Sequence, residues 1–148
     1  MNVSELMTKN AMTCHPDDPL HRAAQIMWDH DCGCVPVVDE SNVIRGMITD
    51  RDVCMAALMQ GRSLNEITVG SAMSRAIYGC SPSDDVEKAA ELMRARQVRR
   101  VPVLDAQGHV VGVLSLGDFA RALSRSAGNG VTTPTVARTL YDISQPQV

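Results

Sequence analysis

Two stretches of the chain place a hydroxyl three residues ahead of a carboxylate. Thr49 and Asp52 do so in Gly46-Met47-Ile48-Thr49-Asp50-Arg51-Asp52. Ser115 and Asp118 do so in Gly112-Val113-Leu114-Ser115-Leu116-Gly117-Asp118. Both read G-x-x-[ST]-x-x-D. At the start of a helix this spacing makes a capping box, in which the hydroxyl and the acid satisfy exposed backbone N–H groups. The same geometry suits a ligand. Helix N-terminal N–H groups and a hydroxyl attract phosphate, and the carboxylate accepts from ribose hydroxyls. The two readings use the same atoms, and the pattern alone does not separate them.

A second cluster, His30-x-Cys32-x-Cys34, has residue types that bind zinc. Its spacing is not a standard zinc pair, and no second pair follows at a metal-site distance. Small hydrophobic thiols are the simpler reading for Cys32 and Cys34. Cys14, Cys54 and Cys80 fall in segments that read as strand or helix core. His15 and His109 have no evident partners. Trp28 lies on a helical pattern, where it either packs or marks an exposed oligomer face. There is no G-x-S-x-G, no His and acid pair at metal spacing and no P-loop Lys. The expectation is a binding protein without catalysis.

The elements that position these residues come from an internal repeat. Shifting the sequence by 66 residues aligns 3–53 with 69–119 without a gap, giving fourteen identities in fifty-one positions. They include Cys14/Cys80, Pro16/Pro82, Val35-Pro36-Val37 with Val101-Pro102-Val103, Gly46/Gly112 and Asp52/Asp118. Each copy opens with a short element, then a Pro-containing polar stretch. Apolar residues at helical spacing follow, Leu20, Ala23, Ala24, Ile26 and Met27 in the first copy. A β-rich run, a polar turn and a second β-run then resemble a hairpin. A second helix starts at once, over 50–59 and 116–125, and Gly61 is a fitting stop for the first of these. The expected fold is α/β, two helix-strand-strand-helix units related by a pseudo-two-fold and packed through their sheets. The expected domains are 1–65, 66–125 and a tail at 126–148. The tail reads as a flexible joint over 126–130 and a short helix over 134–143.

The unit with a V-P-V-[VL]-D strand and then G-x-x-[ST]-x-x-D opening a helix resembles the CBS motif. Two in tandem resemble a CBS pair, or Bateman module, over residues 3–124. That resemblance implies clefts between the repeats that hold AMP, ADP, ATP, NAD or S-adenosylmethionine, and it implies dimerisation. Asp52 and Asp118 would accept from ribose, and Thr49 and Ser115 would meet phosphate or ribose. The segment before the Pro-containing stretch would line the base pocket of the opposite copy. Asn10, Ala11 and Met12 would thus face Ser115 and Asp118, and Ala76, Ile77 and Tyr78 would face Thr49 and Asp52. A basic residue before the V-P-V strand would aim at phosphate. Arg99 and Arg100 match, whereas the first copy has Gly33 and Cys34. The cleft with Thr49, Asp52, Arg99 and Arg100 would then be the better phosphate site. Arg51 would reach a phosphate or a partner.

Composition narrows the partners. A net charge of -3 and 3% aromatic residues argue against nucleic acid. The apolar runs are too short to cross a bilayer. The opening segment, with Glu5 early, lacks the plan of a secretory leader, so a cytoplasmic protein with reduced thiols is expected. Three function classes follow. The first is a regulatory module that binds an adenine nucleotide and signals to a separate effector protein. The second is an interaction scaffold with empty clefts, and the third a thiol or metal sensor.

Overall fold

The computed structural model describes residues 1–125 and 130–146 of the chain. In chain order the elements are α1 (Val3–Leu6), β1 (Thr8–Lys9), α2 (Leu20–Asp29), β2 (Cys34–Val38), β3 (Ile44–Thr49) and α3 (Asp50–Gln60). Then come α4 (Val69–Ala72), α5 (Val86–Arg96), β4 (Arg100–Leu104), β5 (Val110–Ser115), α6 (Leu116–Leu123) and α7 (Thr133–Ile143). The chain is mixed α/β, and each repeat yields the helix, strand, strand, helix order its sequence implies.

Contacts divide the chain into two compact units. The first unit is Ala11–Ile77 with Gln107–Val110. The second is Met1–Asn10, Tyr78–Ala106 and Val111–Val148. The short leading element of each repeat has changed sides. In the second unit Val3 N–H donates to Asp84 O (2.9 Å) and Val86 N–H to Met1 O (3.1 Å). In the first, Val69 N–H donates to Asp18 O (2.8 Å) and Leu20 N–H to Ile67 O (2.8 Å). A repeat seen in sequence fixes the order of elements, but not which copy's core receives a short element that precedes it.

The core of the first unit gathers Cys14, Leu20, Ala23, Val35, Val37, Ile48, Ile67 and Val69, all buried. β2 and β3 pair antiparallel from Cys34↔Thr49 to Val38↔Ile44, with a bulge between Val37 and Val38. Asp39 closes the turn by accepting from Ser41 N–H (2.9 Å), Val43 N–H (3.0 Å) and Arg45 (2.8 Å). Those donors hold its carboxyl below the usual range, the Val43 N–H first. Proline removes a donor from β2, yet Pro36 O accepts from Cys14 N–H (3.1 Å). Gly61, at φ 61°, ends α3 as expected.

The second unit repeats this plan around Val3, Val86, Ala89, Met93, Val101, Val103, Leu114 and Phe119. Its sheet has the order β1-β5-β4. α7 lies against α5 and α6 and buries Thr139 and Ile143. Arg94 donates to Thr139 Oγ1 (3.0 Å) and to Glu87 (3.0 Å), and Gln97 donates to Asp142 O (3.1 Å). The tail helix expected from the sequence is therefore seated. Of the expected joint, residues 126–129 lie outside the described residues. Cys14 and Cys80 are core residues as expected, while Cys54 is exposed on α3. The run of apolar residues around Cys54 left its facing ambiguous.

Candidate functional site

Both G-x-x-[ST]-x-x-D stretches form the turn from a strand into a helix. Thr49 Oγ1 accepts from Asp52 N–H (3.1 Å), and an Asp52 carboxylate oxygen, Oδ2, accepts from Thr49 N–H (3.0 Å). Ser115 and Asp118 make the same reciprocal pair, at 3.2 and 2.8 Å. The capping reading is thus realised in both copies. The glycine that opens each motif has a separate reason. A Cβ on Gly46 would stand 2.4 Å from Ser74 O, and one on Gly112 would stand 2.7 Å from Thr8 O. At each place a crossing segment lies flush on the strand. Met47 and Ser74 exchange backbone hydrogen bonds in the first unit, and β1 pairs with β5 in the second.

The two turns differ in what the carboxylate has left to give. Among the described residues Asp52 accepts only from Thr49 N–H, so Oδ1 points to no donor. Asp118 is 6% exposed. Its Oδ2 also accepts from Ser115 Oγ (3.0 Å), and its Oδ1 is held by the Arg121 guanidinium. A ligand hydroxyl finds a ready acceptor at Asp52, and must displace Arg121 at Asp118.

Arg99 O accepts from Leu116 N–H (2.9 Å), so Arg99 and Arg100 flank the start of α6, in the unit that holds Ser115 and Asp118. The corresponding position in the first unit is Gly33, whose carbonyl accepts from Asp50 N–H (3.0 Å). The start of α3 carries Asp50, Arg51 and Asp52; that of α6 has Asp118 with Arg99, Arg100 and Arg121 near it. Arg121 adds to the expected site: it lies three residues after Asp118 on α6, a spacing at which helical side chains meet.

Thr8 pairs with Val113 and Lys9 with Gly112, antiparallel. Asn10 therefore leaves β5 at its Gly112 end, away from Ser115, and Ala11 and Met12 pass into the first unit. Likewise the antiparallel Met47↔Ser74 bridge sends Ala76 and Ile77 toward the Gly46 end of β3. Met12 and Ile77 keep exposed apolar side chains. Tyr78 lies in the second unit, with the Arg96 guanidinium 4.6 Å over its ring.

His30 and Cys32 are exposed and Cys34 is buried. Among the described residues no group of three or more His, Cys, Asp or Glu side chains is placed to hold a metal ion. Burial, and after it the nearby Asp18 charge, pushes the Cys14 thiol up to about 12; burial and Asp84 push Cys80 up to about 11. No helix among the described residues is long and apolar enough to cross a membrane.

With this geometry in hand, comparison with known proteins is informative. The family model described as CBS domain matches residues 3–58 and again 69–125. The CBS domain-containing protein YhcV of Bacillus subtilis is 36% identical over 133 residues, covering 88% of this chain and 93% of its own length. The CBS domain pair of protein MJ0100, solved in complex with 5-methylthioadenosine and S-adenosyl-L-methionine, superposes with a TM-score of 0.75 at 28% identity. That match covers 83% of this chain and 95% of the other. CBSX2 in complex with AMP superposes at 0.71 with 25% identity, over 82% and 95% of the chains. Hypoxic Response Protein I, solved with two coordinated zinc ions, superposes at 0.74 with 30% identity, over 82% and 98%.

Proposed function

The chain belongs to the CBS domain family, as a tandem pair of its motifs, and on that footing we propose that it is a regulatory module that binds adenosine-type ligands at the starts of α3 and α6. The observation that carries this reading is the available Asp52 Oδ1 beside Thr49 at a helix N-terminus. A carboxylate there accepts from a ribose diol. The solved relatives that hold AMP, S-adenosylmethionine and methylthioadenosine support the ligand class.

The two starts are not equivalent, and we assign them different ligands. Arg99, Arg100 and Arg121 around Ser115 favour a phosphate-bearing nucleotide such as AMP, ADP, ATP or NAD. Asp50 and Asp52 around Thr49, with Arg51 alone opposing them, favour a neutral or cationic adenosine compound such as methylthioadenosine or S-adenosylmethionine. The exposed apolar side chains of Met12 and Ile77 supply surface for a purine. Asn10, Ala11, Ala76 and Tyr78 are secondary in this assignment. Ligand binding regulates only through different affinities for two arrangements of the module, read by a separate effector protein.

The test is a thermal-shift series with AMP, ADP, ATP, NAD, S-adenosylmethionine, methylthioadenosine and GTP. A ligand that binds only the folded chain stabilises it by about 2.7 kcal/mol at a hundred times its dissociation constant. Wild type should respond to at least one adenosine compound. Asp52→Ala should lose the response to the uncharged or cationic ligands and Arg99→Ala the response to phosphates. If no adenosine compound shifts wild type, the hydroxyl–carboxylate pairs are caps alone and the scaffold reading replaces this one. Metal content of the purified protein, measured alongside, decides whether the zinc of Hypoxic Response Protein I has a counterpart here.

A further inference from the structure

The two helix starts differ at a pair of positions that the repeat aligns. The shift of 66 residues sets Arg51 against Gly117 and Met55 against Arg121. Arg121 lies one helical turn beyond Asp118, and its guanidinium is paired with Asp118 Oδ1. Gly117 leaves room for it. A Cβ there would stand 3.3 Å from Arg121 Nη1 and 3.5 Å from Ser115 Oγ. The guanidinium is therefore folded back over the first turn of α6, toward the Ser115 hydroxyl. The acid it holds is buried, and the arginine is not: the Asp118 side chain is 7% exposed and that of Arg121 61%.

Capping the helix needs only Ser115 and Asp118. Asp118 Oδ2 takes the Ser115 N–H and hydroxyl, and Oδ1 takes the arginine, so both oxygens have donors before any ligand arrives. A ribose diol reaches this carboxylate by taking the place of the guanidinium. Ribose hydroxyls are neutral donors. They replace the hydrogen bonds of Arg121 but not its charge, and a buried carboxylate that loses its cation is left uncompensated. The exchange becomes favourable when the ligand brings an anion for the freed guanidinium. A phosphate does this, because the planar fork of arginine matches it bidentately. Arg99 and Arg100 flank the same helix start and add to the pull on the anion. At the start of α3, Met55 offers no charge to displace, and a diol can pair with Asp52 directly.

We infer that Arg121 is a latch on the α6 site that makes a phosphate group a condition of nucleoside binding, so that this site takes AMP and longer phosphates and rejects adenosine. The inference rests on the reading of the α6 start as a site for adenosine-type ligands, and it assigns the discrimination there to one side chain. Arg121 occupies Asp118 before the ligand arrives and holds the phosphate afterwards. The latch has a signature of its own. An arginine that only met the phosphate would strengthen AMP binding and leave adenosine untouched. A latch acts on the two in opposite directions.

The experiment is isothermal titration of adenosine and of AMP into the full chain carrying Asp52→Ala, which leaves the α6 start as the ribose site, with wild type alongside. The Asp52→Ala chain should bind AMP at least about a hundredfold more tightly than adenosine. Adding Arg121→Met, the residue of the first repeat at that place, should weaken AMP by about tenfold and tighten adenosine by about threefold or more. If circular dichroism shows that this variant has lost its fold, inorganic phosphate decides on the unaltered α6. Phosphate draws the guanidinium off Asp118, so adenosine should bind about threefold more tightly in phosphate than in chloride of equal ionic strength. Adenosine binding that Arg121→Met leaves unchanged or weakens overturns the latch and leaves the site reading standing. So does adenosine binding indifferent to phosphate where phosphate decides. AMP bound by wild type and not by the Asp52→Ala chain also overturns the latch, since the ligand then sits at α3. Binding of neither compound to wild type overturns the site reading, and the latch with it.

Discussion

Asp52 and Asp118 share a motif and a capping role, but not a workload. Asp118 is buried and serves Ser115 N–H, Ser115 Oγ and Arg121, whereas Asp52 serves one N–H group. Removing a buried acceptor strands its donors, which costs about 1–3 kcal/mol; losing one member of a half-buried cap costs about 1 kcal/mol. Asp118→Ala should therefore lower the urea midpoint more than Asp52→Ala, while Asp52→Ala should have the larger effect on binding of methylthioadenosine. The cysteines separate in the same way. Cys14 and Cys80, with thiols raised by burial, should resist iodoacetamide at pH 8, and mass spectrometry should find exposed Cys32 and Cys54 modified first. Asp84 sets a pH dependence. Ser81 N–H and then Lys88 hold its carboxyl below the usual range. Its contribution to stability is present above the unfolded carboxylate pKa and is lost as pH falls through the lower folded value. Asp84→Asn should melt below wild type at neutral pH, and the gap should close in strong acid. These roles were legible only in part. The hydroxyl–acid spacing identified the turns, while Arg121 meets Asp118 at an i,i+3 spacing on α6 that lies outside the motif.

At the scale of elements the sequence was most readable where period and turn chemistry agreed. The V-P-V strands, the Gly61 stop and the helix after Thr132 all follow from local rules. The crossing segments at β3 and β5 did not. Their only trace is a glycine at equivalent places, and the reason becomes visible once Ser74 O and Thr8 O lie where a Cβ would be. Gly46→Ala and Gly112→Ala should each destabilise by about 1–3 kcal/mol or more, because the obstacle is backbone and cannot rotate away. Chemical denaturation checks this. The seat of α7 was equally hidden, since it depends on Arg94, Gln97 and Thr139 meeting across 45 residues of sequence. Ile143→Ala should cost about 2–5 kcal/mol if α7 unfolds with the core, and less if it detaches alone. Hydrogen exchange along α7 separates these outcomes.

For the whole chain, the repeat in sequence and the unit in space have different edges. Residues 1–10 complete the core built by the second repeat, and residues 67–73 complete the core built by the first. Fragments cut at the sequence boundary, 1–65 and 66–148, should each lack Ile67 and Val69 or Val3 and Leu6 respectively, and should give poor helical signal by circular dichroism. A fragment of 11–77 should be markedly better structured than 1–65.

The displaced leading segments also set an order of events during synthesis. Val3 is hydrogen-bonded to Asp84, so residues 1–10 find their place only after the second repeat has been made. Such non-local closure slows folding relative to local contacts. Until the second repeat emerges, the segment that forms α1 and β1 waits unseated, while the first repeat can already close on its own 67–73. The molecule is thus assembled from the middle outward, and a substitution at Val3 or Leu6 should delay maturation of the nascent chain more than one of equal burial at Ile67 or Val69.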